Sequence, residues 1–222
     1  MAEYLASIFG TEKDKVNCTF FYKIGACRHG ESCSRLHNQP TFSQTVLLKN
    51  LYVTTENTAM TSSMSHYISE KETQKKFDEF YREVFVEVND KYGEIEEMRV
   101  CANIGEHLLG NVYIMFRREE DAERAVNGLN NRWFGQRPIF AEFSPVTDFR
   151  DACCAQYEKS VCSRAGYCNF MHVKKISSDL NRQLRNYMRQ SRQLRRSRSH
   201  SFLRKGDDNM RRYEFVRKRR RD

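Results

Sequence analysis

The middle of the chain carries the clearest alternation of apolar and polar positions. Phe77, Phe80, Tyr81, Val84, Phe85 and Val88 recur at intervals of three and four, the spacing of one helix face. An amphipathic helix is therefore predicted over 71–91, closing near Gly93. Upstream, Ser43–Asn50 (SQTVLLKN) is a β-branched and leucine run of strand length. Residues 53–70, rich in Thr, Ser and Asn with no apolar period, read as a loop. Downstream, Glu94–Cys101 and Gly110–Phe116 are strand candidates, and Arg118–Asn130 reads as a second helix. Glu119, Glu120 and Asp121 fill its first turn, where the helix dipole favours acids. Arg137–Ser144, with Ile139, Ala141 and Phe143 at every second position, makes a fourth strand. The order is β-α-β-β-α-β, an α+β domain over residues 43–147.

The flanks repeat a different pattern. Cys18, Cys27, Cys33 and His37 stand at C-x8-C-x5-C-x3-H, and Cys154, Cys162, Cys168 and His172 at C-x7-C-x5-C-x3-H. Three thiolates and an imidazole suit a closed tetrahedral zinc site, so two Zn2+ sites are expected. The segments, 12–40 and 148–175, are too short to bury a core, and the metal must supply much of their folding energy. Four protein ligands leave no open position, which argues against catalytic zinc. Neither a Walker A loop nor a G-x-G-x-x-G fingerprint is present, and no enzyme is expected. Two cysteines remain. Cys101 ends a strand and reads as a small core residue; Cys153 adjoins Cys154 and in its place would give C-x8-C, so spacing leaves both open.

Charge sharpens the picture. The chain's net +9 is uneven: residues 181–222 carry 16 Lys/Arg against 4 Asp/Glu, while 1–180 carry 22 against 25. The tail, 176–222, is expected to be disordered and to suit a polyanion or a nuclear address. The opening MAEYLASIFG lacks the basic start and apolar length of a signal peptide, and no run is long enough to span a membrane. Reduced, metal-bound cysteines are then the expected state. Between the first finger's ligands lie Phe20, Phe21, Tyr22, Arg28 and Arg35, and the second carries Tyr157, Arg164, Tyr167 and Phe170. Rings beside cations offer unstacked bases a face and phosphates a charge. A finger this small cannot bury all three consecutive aromatics.

The central strand order resembles the ferredoxin-like RNA recognition motif, whose third strand carries outward aromatics that stack bases. Here Asn111 occupies one of those positions, and residues 45–143 carry 12 Lys/Arg against 17 Asp/Glu. The sheet is therefore not expected to read RNA. Glu79, Glu83 and Glu87 form an acidic stripe on the first helix, and Arg132-Trp133-Phe134 follows the second in an expected exposed turn. Exposed aromatics beside arginine are typical of protein-binding hot spots.

Finger, motif and finger in this order resemble the small-subunit family of the U2 snRNP auxiliary factor (U2AF), which serves pre-mRNA splicing. KIGACRHG, CSRLH, SPVTDFRDACC and CNFMH match its finger signatures, and the likeness covers about residues 1–175. The resemblance implies that Cys154 is the ligand and that the centre is a U2AF-homology motif binding the large subunit. Arg132 and Phe134 would sandwich a partner tryptophan, Trp133 would insert reciprocally, and Glu83 and Glu87 would meet basic residues. Both fingers would read the AG at the 3′ splice site in single-stranded pre-mRNA through Phe20, Arg28, Ser34, Arg35, Arg150 and Phe170. The resemblance also implies a nuclear protein, recruitment of U2 snRNP, and Arg/Ser-rich splicing factors as further partners. Of the Arg-Ser repeats only Arg196–Ser201 is present. The rival expectation is a stand-alone CCCH-finger regulator that binds AU-rich mRNA without a partner.

Overall fold

A computed structural model describes residues 16–53 and 69–195. The chain divides into two units, residues 1–175 and 176–222. In the first, four strands form one antiparallel sheet: β1 (Thr45–Leu48), β2 (Ile95–Val100), β3 (Val112–Phe116) and β6 (Ala141–Phe143), in the order β2-β3-β1-β6. Two helices connect them, α2 (Glu70–Lys91) and α3 (Glu119–Leu129). This is the arrangement that the hydrophobic pattern predicts. Val46 pairs with Ile114 and Leu48 with Val112, while Leu47 pairs with Tyr113 on the opposite face. All four residues of β1 are buried, so both faces of the sheet are covered. Tyr81 fastens α2 to β2 by donating to the Met98 carbonyl at 2.9 Å, and burial pushes its phenol up to about 12.

The second cover comes from the fingers. Ile24, Ala26, Val146, Phe149, Ala152, Cys153 and Met171 join Leu47, Tyr113 and Cys101 in one buried cluster on the outer face of the sheet. The first seven belong to α1 (Thr19–Ile24) and the turn after it, the chain after β6, α4 (Phe149–Ala152) and the second finger. Helix α1 packs against α4, and the second finger continues through α5 (Ala155–Lys159). The face that would carry a base-stacking platform is thus an interior. Tyr113, the aromatic of β3 on that face, is fully buried. Asn111, at the position expected for its companion, accepts from the Asn50 amide at 3.0 Å and donates to the His107 carbonyl at 3.0 Å.

Two expectations change. Arg137–Ser144 is not one strand. Arg137–Pro138 (β5) pairs with Trp133–Phe134 (β4) in a separate hairpin, and only Ala141–Phe143 joins the sheet. Proline has no N–H for a ladder, and Gly135 and Gln136, at φ 53° and 65°, make the left-handed two-residue turn that joins hairpin strands. Asn130 secures the second start, accepting from the Ala141 amide at 2.7 Å and donating to its carbonyl at 2.9 Å. Arg132-Trp133-Phe134 therefore runs into a hairpin strand rather than forming a simple turn.

The basic tail also differs from its expected disorder, because residues 178–195 form a helix (α6). Ser177 caps it, accepting from the Leu180 amide at 3.2 Å, and neither glycine nor proline interrupts the run. The remainder of the tail and most of the 53–70 loop lie outside the described residues.

Two candidate metal centres and the surfaces beside them

Each finger begins with a cysteine that caps a short helix: Cys18 precedes α1 and Cys154 precedes α5. A 3-10 turn then delivers the third cysteine, Gly30–Ser32 before Cys33 and Ala165–Tyr167 before Cys168. Gly30 and Ala165 occupy equivalent positions with φ of 49° and 45°, so the second finger places a non-glycine residue where the first uses glycine. In each finger the ligand atoms lie within 4.8 Å of one another. Sulfurs around a tetrahedral zinc stand about 3.8 Å apart, given Zn–S bonds of about 2.3 Å. The measured separations are 3.9 Å for Cys27–Cys33, 3.7 Å for Cys154–Cys162 and 3.9 Å for Cys154–Cys168. All eight cysteines are free thiols. Nε2 of His37 and of His172 is buried without a hydrogen-bond partner among the described residues, leaving each nitrogen for a metal. Phe21 stacks on His37 at 4.5 Å, and Tyr157 stacks on His172 at 4.1 Å. Burial, then the Arg164 charge, lowers the His172 pKa and favours the neutral, ligating imidazole. The donor sets fit two zinc-binding sites.

Cys154 is the ligand of the second site and Cys153 is not. Cys153 turns into the core beneath the fingers beside Cys101, where burial pushes its thiol up to about 11.

The two fingers meet. Phe20 of α1 and Phe170 of the second finger stand edge to face, with ring centroids 6.1 Å apart. The Arg164 guanidinium lies over the Phe170 ring, 6.0 Å from its centroid. Arg28, Ser34, Arg35 and Arg150 are exposed, while Phe170 is half-buried. Arg150 chelates Asp148 through contacts of 2.7–3.2 Å, but its side chain remains 90% exposed. Of the three consecutive aromatics, Phe21 serves the finger's interior, and Phe20 and Tyr22 are exposed.

Residues that the pattern did not single out hold this arrangement. Asn103, in the β2–β3 loop, donates to the carbonyls of Cys168 and Phe170 at 3.0 Å each and accepts from the His172 amide at 2.8 Å. Ala102 and Ile104 add backbone bonds to His172 and Gly166 at 2.6 and 2.8 Å. In the same loop, burial and secondarily the Arg28 charge hold the His107 pKa below its usual value. No sequence signal marks an asparagine in a loop as such a strut.

A second surface lies around the hairpin. Phe134 meets Phe80 edge to face at 5.6 Å, and Phe80 leans on Tyr52 at 4.9 Å. Beside them opens a cavity of about 410 Å³ lined by Tyr52, Lys76, Phe80, Phe134 and Arg137. Arg132 forms an ion pair with Glu87. Trp133 is 69% exposed, and Glu83 and Glu87 lie on the exposed side of α2.

The model of the zinc finger of C-x8-C-x5-C-x3-H type matches residues 13–39, and that of the RNA recognition motif matches residues 82–149. The chain is 64% identical over 200 residues to the splicing factor U2af 38 kDa subunit of Drosophila melanogaster, spanning 89% of this chain and 76% of that protein. To the splicing factor U2AF 26 kDa subunit of Bos taurus it is 62% identical over 213 residues, 96% of each chain. To the splicing factor U2AF 23 kDa subunit of Schizosaccharomyces pombe it is 54% identical over 184 residues, 83% of each.

Proposed function

The chain belongs to the U2AF small-subunit family of splicing factors, and we propose that its two fingers jointly read the AG dinucleotide at the 3′ splice site. It is a non-enzymatic RNA-binding subunit that works beside a large subunit. The observation that carries the reading is the Phe20–Phe170 contact, which joins fingers separated by more than a hundred residues into one surface. Phe20 and Phe170 offer ring faces to unstacked bases. Arg28, Arg35 and Arg150 supply donors that suit phosphates and the acceptor edge of guanine, and Ser34 adds a small hydroxyl. Zinc, when bound, fixes the ligand loops that carry these side chains and performs no chemistry on the RNA. The sheet face takes no part because the fingers themselves cover it.

The hairpin surface receives the large subunit. The cavity beside Phe134 accepts an apolar or aromatic side chain, with Arg132 and Phe134 flanking a partner tryptophan. Trp133 projects outward to enter the partner, while Glu83 and Glu87 attract its basic residues. The heterodimer acts in the nucleus and helps to recruit U2 snRNP. Arg/Ser-rich factors are further partners of the tail.

The test is fluorescence anisotropy of labelled octamers containing UAGG or UACG, titrated with the zinc-loaded heterodimer at fixed salt. Preference for UAGG by about 1–3 kcal/mol, the scale of one good base contact, is expected, and Phe20→Ala or Phe170→Ala should abolish it. Equal affinity for both octamers would refute reading by the fingers.

A further inference from the structure

Helix α6 sorts its residues by chemistry. At 100° per residue, Arg182, Arg185, Arg189 and Arg192 fall within a stripe about 80° wide, and all four are exposed. Leu180, Leu184, Tyr187 and Leu194 cluster on the opposite side. Asn181, Asn186, Gln193 and the half-buried Met188 flank the stripe, and the stripe itself carries guanidinium groups and the Ser178 hydroxyl with no apolar anchor. The helix holds five arginines against one acid, Asp179, whose contact with Arg182 at 2.6 Å lies at the exposed first turn.

We propose that α6 is a preformed arginine ladder that binds the phosphates of single-stranded RNA flanking the splice-site dinucleotide. The proposal rests on the reading of the fingers as an RNA surface, and it adds a second, sequence-independent contact. Successive arginines are three or four residues apart and rise about 5 Å along the axis, a regular row of cations suited to a regularly charged strand. A protein partner is the poorer fit, because interface hot spots need a buried aromatic or aliphatic anchor and this face has none. The Ser177 cap holds the row in helical form before RNA arrives, so less ordering entropy is lost on binding than from a coil. Phosphate contacts position RNA without reading its sequence. The ladder therefore strengthens binding whatever the flanking sequence and leaves the choice of AG to the fingers.

The experiment uses the full-length zinc-loaded chain with its large subunit, and RNAs of 8 and 20 nucleotides centred on UAGG or UACG. Affinity is measured across a salt series. Replacing Arg182, Arg185, Arg189 and Arg192 together by Gln, a residue of similar helix propensity, removes the charge and keeps the helix. The salt slope for the 20-mer should shrink by about 0.7 per arginine engaged, up to about 3 in all. The 8-mer should change little, and the UAGG/UACG ratio should stay as in the wild type. Gln190→Pro keeps every charge and breaks the helix; weakened binding to the 20-mer, with circular dichroism confirming the lost helix, supports a ladder over a diffuse basic tail. An unchanged slope in the Gln variant overturns the proposal, as does full affinity in Gln190→Pro. So does a defect confined to association with the large subunit. If the wild type shows no UAGG preference but the slope still falls, the fingers' role fails and the ladder stands.

Discussion

The two fingers share ligand types, a helix capped by the first cysteine, and an aromatic stacked on the ligating histidine, yet they are mounted differently. All four ligands of the second finger are buried, whereas Cys33 and His37 of the first are only half-buried. The residue before each histidine makes the difference plain: Leu36 is 56% exposed and Met171 is 1% exposed. Backbone bonds from Ala102 and Ile104 and the three contacts of Asn103 tie the second finger to the β2–β3 loop. The first is held by side-chain packing of Ile24 and Ala26 and by the bond that Gln39 donates to Glu142 at 2.9 Å. Beside it runs a cleft of about 630 Å³, lined in part by Tyr22, Phe42, Thr45 and Met115. The metal performs the same local task twice, and both fingers reach the core, but the second is fastened to the domain by more bonds and buries all of its ligands. Local stability should follow the mounting rather than the motif.

The strongest way to break this comparison is to remove one ligand from each finger. Structural zinc contributes about 10–16 kcal/mol to the folding of isolated finger peptides. Cys154→Ser should therefore cost more than the finger, because its loss uncovers Met171 and the outer face of the sheet. Calorimetry should show the whole 1–175 unit melting earlier. Cys18→Ser should release one zinc equivalent and leave most of the main transition in place. Equal losses would mean that both fingers are equally integral. A chelator followed by a colorimetric zinc assay offers a milder form of the test. Two phases are expected, and the fast one should disappear in Cys18→Ser.

Asn103→Ala attacks the mounting and spares the ligands. Three hydrogen bonds are lost and two carbonyls and an amide are left buried, a cost of about 3 kcal/mol. Urea unfolding should register that loss, and zinc should leave the second finger faster than from the unmodified protein while the first is unaffected. Normal zinc release would assign the mounting to the backbone bonds alone.

How far the sequence foretold this depends on the range of the forces. The ligand sets, α2, α3 and the strand order were legible because each rests on local spacing. Cys154 was not separable from Cys153 by spacing; the fold distinguishes them by turning Cys153 toward Cys101. Arg137–Ser144 read as one strand because apolar positions alternate through it, although Pro138 already forbade a continuous ladder. Helix α6 was hidden by its charge: the arginine count suggested a disordered tail, while Ser177 and the leucine spacing argued for a helix. Asn103 and the covering of the sheet were beyond reach. Both depend on contacts between separate segments of the chain, those of Asn103 being 65–69 residues apart, and an acidic sheet with a missing aromatic predicted that RNA would not bind there without saying what would.

Gly25→Ala tests the first finger's mounting with one methyl group. Gly25 closes α1 at φ 73°, and a Cβ there would fall 2.4 Å from Ser144 Oγ and 3.2 Å from the Tyr113 ring. The left-handed backbone costs an alanine about 1 kcal/mol, and the overlap adds about 1–3 kcal/mol unless the finger lifts. Because this finger is held by packing, it should lift. Faster zinc loss from the first site with a small fall in Tm is the expected outcome; a large fall with zinc retained would show the first finger to be as firmly fixed as the second.

The finest test concerns the contact between the fingers. An edge-to-face pair such as Phe20 and Phe170 contributes about 0.5–1.5 kcal/mol beyond its buried area, so a double-mutant cycle with Leu at each position should give a coupling of that size in stability. RNA binding should respond differently. If both rings stack on bases, each single variant loses affinity on its own account, by about 1–3 kcal/mol per base, and because independent losses add, the coupling in RNA affinity should fall below the coupling in stability. If the pair merely holds the fingers together, the two couplings should agree. The small energy of one aromatic contact thus separates a surface that the fingers share from two surfaces that happen to touch.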